Sequence, residues 1–178
     1  MPSSPATNRP SAVGSVSPLP VRPDPAKLSR AERAVGSVVR FGTRVPGVRR
    51  VLLWPVVARP GYWFATACAW LWGRILFGRF AKGGGIHYFS GLPKWAYGRG
   101  GTTIGAIYLT TDNTGDSVLE HEAIHKAQWK RYGLTFIALY VAAGSPALTN
   151  RFEVEAGLEK GGYVRARRPR PGGFPGKS

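Results

Sequence analysis

The sequence predicts an α+β fold in which a short antiparallel β segment is followed by two helices that share a metal site. Residues 82–115 contain short β-prone runs separated by Gly and Pro, whereas residues 117–161 repeat apolar positions at helical spacing. Residues 1–28 and 164–178 are basic and rich in Pro, so we expect both ends to be disordered. A single domain is therefore predicted over residues 29–163.

The first part of this domain, residues 29–80, is predicted to be helical, apolar and basic. Ser29-Arg30-Ala31-Glu32 matches a capping box, in which the first and fourth side chains bond the backbone at a helix start. A helix should therefore begin near Arg30. Its core-facing side is predicted to consist of small and β-branched residues at helical spacing: Ala31, Ala34, Val35, Val38 and Val39.

Residues 51–80 form the most apolar stretch of the chain. A membrane-spanning helix needs about 20 uninterrupted apolar residues, and Pro55 and Pro60 break this stretch. We therefore expect a buried or interfacial helix after Pro60. Cys68 lies among its aromatic residues and is expected to be buried.

The β part, residues 82–115, is predicted to contain strands near residues 86–89, 95–97 and 103–110. Ser117-Val118-Leu119-Glu120 matches a second capping box, so the next helix should begin near Val118. Its apolar periodicity ends at Tyr132, and Gly133 is a suitable C-cap. A further helix is expected over residues 150–160.

Charge and cysteine content restrict the function classes. The net charge is +16, yet seven of the nine acidic residues lie between residues 101 and 160. The basic flanks predict weak contact with a polyanion or an anionic membrane surface. A single cysteine cannot ligate an Fe–S cluster. The sequence also lacks the glycine-rich fingerprint of a dinucleotide-binding site. No apolar run of signal-peptide type occurs near residue 1, which favours a cytoplasmic location, peripheral to the membrane if residues 51–80 touch it.

The residues with the clearest chemistry are His121-Glu122-Ala123-Ile124-His125, an HExxH sequence. Residues four apart on a helix differ by about 40° in direction, so both imidazoles face the same way. Two imidazoles one turn apart supply half of a tetrahedral zinc site, and Glu122 is placed to take a proton from a water at the metal. The sequence thus predicts one bound zinc ion, with Gln128 and Tyr132 further along the same stripe.

The third zinc ligand is less determined by spacing. Glu153, Glu155 and Glu159 on the later helix are candidates, as is His87 in the β part. Glu153 and Glu155 point about 160° apart on a helix, so only one of them can face the metal. A competing role exists for Glu153, because Asn150-Arg151-Phe152-Glu153 also fits a capping box.

With EHEAIHKAQW followed by NRFEVEAG, residues 85–162 resemble small gluzincin-like metallopeptidases, short bacterial proteins with HExxH and a later Glu-x-x-Ala. The resemblance implies a zincin-like fold in which Glu153 is the third ligand and Ala156 follows it by three. Larger relatives have Asp or Asn after that Ala, where this chain has Gly157, so a hydrogen bond to a histidine ligand is expected to be missing. Asn150, Glu155 and Gln128 are the expected substitutes.

Zincins also bind extended substrates along an edge strand beside the motif helix. The resemblance assigns that role here to one continuous segment: Thr103, Ile104, Gly105, Ala106, Ile107 and Tyr108. For the group that stabilises the developing oxyanion, the sequence offers several side chains without distinguishing among them: His87, Tyr97, Tyr108, Arg151 and Tyr163.

The predicted function is zinc-dependent hydrolysis of an amide bond in a peptide or protein, with Glu122 as general base. The alternative is a catalytically silent module in which the metal only joins two helices. In that case the basic surface would bind an acidic partner, nucleic acid or an anionic membrane surface.

Overall fold

The computed structural model describes residues 28–164 except residues 53 and 99, and it leaves the side chain of Arg49 undescribed. The predicted disordered ends, 1–28 and 164–178, lie almost entirely outside the described residues. The described part has the predicted α+β character, with seven helices and four strands. They are α1 (Arg30–Arg44), α2 (Val48–Leu52), α3 (Pro55–Ile75), β1 (Arg79–Gly83), β2 (Ile86–Ser90), α4 (Lys94–Tyr97), β3 (Gly101–Ile104), β4 (Ile107–Thr110), α5 (Asp116–Tyr132), α6 (Thr135–Ala142) and α7 (Arg151–Ala156).

The four strands form one sheet in the order β1-β2-β4-β3. Its outer pairs are antiparallel, but β2 and β4 are parallel, so the prediction of a purely antiparallel segment was wrong. The difference arises because the strand predicted over 103–110 is a hairpin. It turns at Gly105, whose φ of 60° suits glycine, and its second strand joins β2.

Two other strand predictions also need correction. Residues 95–97 belong to the short helix α4, which starts directly after Pro93, a residue that cannot continue a strand ladder. The edge strand β1 was not predicted, because Arg79–Gly83 lies between glycines and alternates only weakly between apolar and polar residues.

α3 begins at Pro55, not after Pro60 as predicted, because Pro55 fits the first helical turn and Pro60 is accommodated inside the helix. Ala58, Tyr62, Ala65, Ala69 and Gly73 are its buried residues. Cys68 is exposed, contrary to prediction, because it lies beside the stripe of buried residues on the helix and not within it. Within the described ranges, no helix combines the length and apolar character that crossing a membrane requires.

α5, the helix of the HExxH sequence, packs against α3, against α7 and against strands β2 and β3. It begins at Asp116 with Gly115 as N-cap, and the predicted capping box at Ser117–Glu120 does not form. Its end at Tyr132 and C-cap Gly133 are as predicted. A Cβ at position 133 would lie 2.4 Å from the carbonyl oxygen of Ala58, so this glycine also lets α3 approach.

The predicted capping box at Ser29–Glu32 is present and starts α1. Its buried side differs from the prediction: Glu32 and Gly36 are buried, whereas Ala31, Ala34 and Val38 are exposed. Glu32 is the reason, since one carboxylate oxygen accepts from the backbone of Ser29 at 2.6 Å and the other from the backbone of Ser145 at 2.6 Å. The carboxylate thus fastens α1 to the segment after α6.

We expect Glu32→Gln to remove part of the acid sensitivity of folding. Hydrogen bonds from Ser145, followed by those from Ser29, lower the pKa of Glu32 from 4.5 to about 2. A depressed carboxyl pKa stabilises the fold fully above about pH 4.5, and this stabilisation is lost as pH falls towards 2. Melting temperatures measured from pH 6 to pH 2 should therefore converge for the wild type and the variant, while exposed Glu159→Gln should track the wild type. A constant gap between the curves would contradict this role.

Candidate metal centre

The two histidines of α5 are both buried and face the same side of the helix. His121 is 1% exposed and His125 is 7% exposed, and their Nε2 atoms lie 3.1 Å apart. α5 is fixed at this depth by Leu119, which packs with Ile86 and Tyr108, and by Trp129. The indole of Trp129 donates a hydrogen bond of 2.8 Å to the carbonyl of Thr103.

Glu153 comes to the histidines from α7, a helix of only six residues. Asn150 caps this helix by accepting from the backbone of Phe152 at 3.0 Å, and its amide nitrogen donates to the carbonyl of Gly144 at 2.8 Å. Phe152 is buried in an aromatic cluster beside Phe136. These contacts hold α7 so that Glu153, which is 3% exposed, points at α5.

Three ligand atoms therefore converge on one point. The carboxylate oxygens of Glu153 lie 3.2 Å from Nε2 of His121 and 3.4 Å from Nε2 of His125. All three potential ligand atoms lie within 4.8 Å of one another, and all three residues are buried. The capping-box role considered for Glu153 is excluded, because the Asn150 backbone N–H donates to the carbonyl of Pro146 while the Glu153 carboxylate faces the imidazoles.

Hydrogen bonding fixes which histidine nitrogens are free for a metal. Nδ1 of His121 lies 3.0 Å from the carbonyl of Gly157, which can only accept, so this nitrogen carries the proton. Nδ1 of His125 lies 2.8 Å from Oε1 of Gln128. The amide nitrogen of Gln128 donates to the carbonyl of Phe152 and to Glu155, which fixes the amide orientation. In neutral rings both Nε2 lone pairs therefore point at the shared site.

A cation satisfies this arrangement better than the protein atoms do alone. Among the described residues, no hydrogen-bond donor has suitable geometry to reach the buried Oε2 of Glu153. Two facing lone pairs and a buried carboxylate repel each other unless positive charge lies between them. The donor set of two imidazole nitrogens and one carboxylate is one that zinc accepts in tetrahedral sites with an open position. The residues thus fit a bound zinc ion.

The carboxylate of Glu153 stays ionised in this buried position. Burial alone would raise the pKa of Glu153. Hydrogen bonds from His121 and His125, when these rings carry a proton on Nε2, and from Tyr140 outweigh burial and hold the pKa well below its usual range. Tyr140 donates its hydroxyl to Oε1 of Glu153. Sequence reasoning missed Tyr140, whose position thirteen residues before Glu153 carries no periodic signal.

Glu122 lies beside the ligand cluster and is 9% exposed. Its Oε2 accepts a hydrogen bond of 2.7 Å from the hydroxyl of Thr103 on β3. Burial raises the pKa of Glu122, while the bond from Thr103 acts against this shift. A carboxylate with a raised pKa is suited to accept a proton near neutral pH.

A cavity of about 210 Å³ opens in front of this cluster. Glu122, His125 and Glu153 line it together with the edge strand β3. Its other walls come mainly from α5 and α6 and are largely apolar or aromatic: Trp129, Phe136, Ile137, Tyr140, Val141 and Tyr163. The cluster is therefore reachable by a molecule bound in this cavity.

The residues predicted for substrate binding lie in three different parts of the hairpin: β3, its turn and β4. Thr103 and Ile104 lie on the edge strand and line the cavity, but Gly105 and Ala106 form the turn. Ile107 and Tyr108 belong to β4, which is paired with β2 on one side and β3 on the other. An interior strand has no free backbone groups for a peptide, so the structure does not offer the backbone of these two residues to a substrate.

The residues predicted to support the ligands have different roles in the structure. Gln128 bonds to His125, and Glu155 supports Gln128 with a bond of 3.0 Å, so both lie directly behind the ligands. Asn150 positions α7, as described. Tyr132 packs with Phe136 and Phe152 in the aromatic core instead.

His87 does not join the group of possible metal ligands found among the described residues. It lies on β2, where its ring stacks on Phe80 with 5.6 Å between centroids. Of the five side chains considered for oxyanion stabilisation, Tyr163 is the one that lines the cavity. Tyr108 donates instead to the carbonyl of Asn113, and Arg151 stacks on Phe152.

Gly157 has an unexpected role. The sequence suggested that a hydrogen bond to a histidine ligand is missing where this chain has Gly, but the Gly157 carbonyl accepts that bond from His121. Its φ of 95° turns the carbonyl into place and also ends α7, which stops short of the predicted residue 160. Glycine adopts this backbone conformation without the strain that a Cβ brings.

We expect Gly157→Ala to weaken zinc binding by about 10–100-fold, the usual cost of disturbing the hydrogen-bond partner of a histidine ligand. The alanine is strained at a φ of 95°, so the chain relaxes and moves the carbonyl away from His121. Competition with a coloured chelator measures the affinity. Gly42→Ala is the matched control, since Gly42 lies in α1 with open space around it. Unchanged affinity in Gly157→Ala would show that the carbonyl does not support His121.

None of the family models, curated proteins or solved structures compared with this chain matches it.

Proposed function

We propose that this chain is a zinc-dependent hydrolase of amide bonds, with a zincin-like metal site in a peptidase-like cleft. His121, His125 and Glu153 would hold the zinc ion, and Glu122 would act as general base. One observation carries the proposal: three buried ligand atoms converge at a cavity that a proton-accepting carboxylate also lines. A purely structural site needs neither the cavity nor a second acidic side chain.

A zinc ion bound there would polarise a substrate carbonyl and make water a stronger acid. The residues of the chain would supply the remaining functions. Glu122 would take the proton from the attacking water and deliver it to the leaving amine. Thr103 would hold the Glu122 carboxylate in orientation through its 2.7 Å hydrogen bond.

Tyr163 would donate a hydrogen bond to the oxygen on which charge develops. Burial, followed by the charge of Glu153, raises the pKa of Tyr163 to about 12, so its hydroxyl keeps its proton at neutral pH. A neutral phenol at the wall of the cavity is a suitable donor for this purpose.

The substrate would bind as an extended peptide beside β3. This strand pairs with β4 on one side only. On its other edge the Thr103 carbonyl already accepts from the Trp129 indole, so a peptide backbone would pair with the groups that this bond leaves open. The apolar walls formed by Ile104, Phe136 and Val141 favour an apolar side chain next to the cleaved bond. We infer a preference for apolar or aromatic residues at that position.

Digestion of a peptide library by the zinc-loaded full chain tests the proposal. Mass spectrometry should identify internal amide-bond cleavage next to apolar residues, and a chelator should stop it. A zinc-loaded, folded protein that cleaves none of the library would contradict the proposed peptidase activity.

The second candidate function is a metal-stapled module without turnover. Its supporting observation is that the ligands come from two helices, α5 and α7, so a bound metal would join them as a cross-link. Such a protein would bind zinc and unfold without it but would not depend on Glu122 for any activity.

A further inference from the structure

The outer side of α3 carries large apolar side chains that nothing in the described residues covers. We call Trp63, Phe64, Trp70 and Leu71 the α3 outer face; their exposed fractions are 63%, 62%, 48% and 56%. At about 100° per residue they lie within about 120° of the helix circumference. The buried side of the same helix consists mostly of Ala and Gly. A helix of a water-exposed surface normally has the opposite distribution.

Positive charge borders this face. Arg59, Arg74 and Arg79 are exposed at its two ends, and Arg74 lies 5.8 Å above the ring of Trp70. The sequence contains no Asp or Glu between Glu32 and Asp112. An aromatic apolar face flanked by arginines is the arrangement by which helices lie at the surface of anionic bilayers.

Phe77, directly after the C-cap of α3, is a further exposed aromatic residue. It is 93% exposed and has a φ of 55°, the left-handed conformation that seldom holds a bulky residue. Gly78 donates to the carbonyl of Gly73 and Phe77 to that of Arg74, so Phe77 occupies the helix-end position that glycine normally takes. A strained backbone that holds an aromatic ring in water indicates a function for the ring outside the fold.

We propose that the α3 outer face and Phe77 form a docking surface for an anionic lipid membrane. The aromatic rings and Leu71 would enter the boundary between headgroups and acyl chains, and the three arginines would contact lipid phosphates. This inference does not depend on the proposed hydrolase activity.

Two other occupants fit the surface less well. A second copy of the chain would bring like-charged arginines together with no acidic partner between Glu32 and Asp112 to neutralise them. Nucleic acid would neutralise the arginines and stack on the tryptophans, but it offers no apolar phase for Leu71 and Phe77. A bilayer satisfies both the charge and the apolar area.

Co-sedimentation of the full chain with vesicles at physiological salt tests the proposal. Vesicles of phosphatidylcholine and phosphatidylglycerol should bind the protein, and phosphatidylcholine alone should bind it more weakly. Phe77→Gly should reduce binding by about tenfold, because one buried aromatic ring is lost. The same substitution should raise the melting temperature by about 3 °C, since glycine relieves the left-handed strain. The melting temperature therefore distinguishes a loss of membrane contact from a loss of binding through misfolding.

Leu71→Ser and Leu148→Ser form a matched pair, because both leucines are 56% exposed and only Leu71 belongs to the α3 outer face. Leu71→Ser should reduce vesicle binding about tenfold, and Leu148→Ser should leave it unchanged. Equal binding by all three variants and the wild type would overturn the proposal and assign the attraction to charge alone. A dimer that is seen in sedimentation velocity and dissociates in the Leu71→Ser variant would also overturn the proposal. So would competing RNA that abolishes vesicle binding, if Phe77→Gly has no effect on that binding.

Discussion

Glu122→Gln is expected to lower the rate of amide hydrolysis by about 10²–10⁴-fold while the protein keeps its zinc. Glutamine has nearly the shape of glutamate and can still accept from Thr103, but it cannot take a proton from water. His121, His125 and Glu153 do not use Glu122 as a hydrogen-bond partner, so the metal ligands should stay in place. Activity and zinc content measured on the same preparation give both quantities.

Glu120→Gln is the matched control for this substitution. Glu120 lies on the same helix and pairs with Lys160 at 2.7 Å, but its side chain is 54% exposed. Exposed pairs of this kind contribute little to stability, so activity and zinc content should both remain at wild-type levels. Hydrolysis that persists at the wild-type rate in Glu122→Gln would remove Glu122 from the mechanism and point to another base.

Glu153→Ala is expected to lower zinc affinity by more than about 100-fold, whereas Glu155→Ala should cost about 10–100-fold at most. Glu153 faces both imidazoles from within 3.4 Å. Glu155 reaches the site only through Gln128, to which it is bonded at 3.0 Å. The loss is expected to be larger for Glu153 because it would itself be a ligand, whereas Glu155 only supports Gln128, the hydrogen-bond partner of His125.

A zinc-competition titration of the two variants beside Glu159→Ala measures this order. Glu159 is exposed after the end of α7, so its removal should leave the affinity unchanged. If Glu155→Ala lost more affinity than Glu153→Ala, the ligand assignment at α7 would be wrong. Equal, small losses would mean that neither carboxylate binds the metal.

The local part of the site could be predicted from the sequence because it depends on helical spacing alone. His121 and His125 are four residues apart, and in a helix that spacing brings them together regardless of how the rest of the chain folds. Gln128 lies one further turn along, and the structure places it against His125. The capping box at Ser29–Glu32 was predictable for the same reason, since both partners lie within one turn.

The remainder depends on how separate elements pack, which spacing does not encode. Tyr140 reaches Glu153 because the short α7 folds back on α6, and Gly157 reaches His121 through a backbone carbonyl that any residue type possesses. The mixed sheet depends on a turn at Gly105, which packs so closely on α3 that a Cβ would lie 2.3 Å from the Thr66 hydroxyl. One long strand and this hairpin have the same hydrophobic pattern, so the pattern does not distinguish them.

The direction in which α3 faces was also beyond the sequence. Its residues are apolar on nearly every side, so periodicity does not identify the buried stripe. The fold buries Ala65 and Ala69 because small residues let α3 approach the sheet closely, as Gly73 does against Phe89. Trp63 and Trp70 are consequently left outside.

Elemental analysis of the purified full chain, made beside a His121→Ala/His125→Ala double variant, tests directly whether the site holds zinc. We expect about one zinc ion per wild-type chain, none in the double variant, and a lower melting temperature when zinc is removed, because a ligand that binds the native state stabilises it. Folded wild-type protein free of zinc and other metals after expression in zinc-replete cells would contradict this expectation.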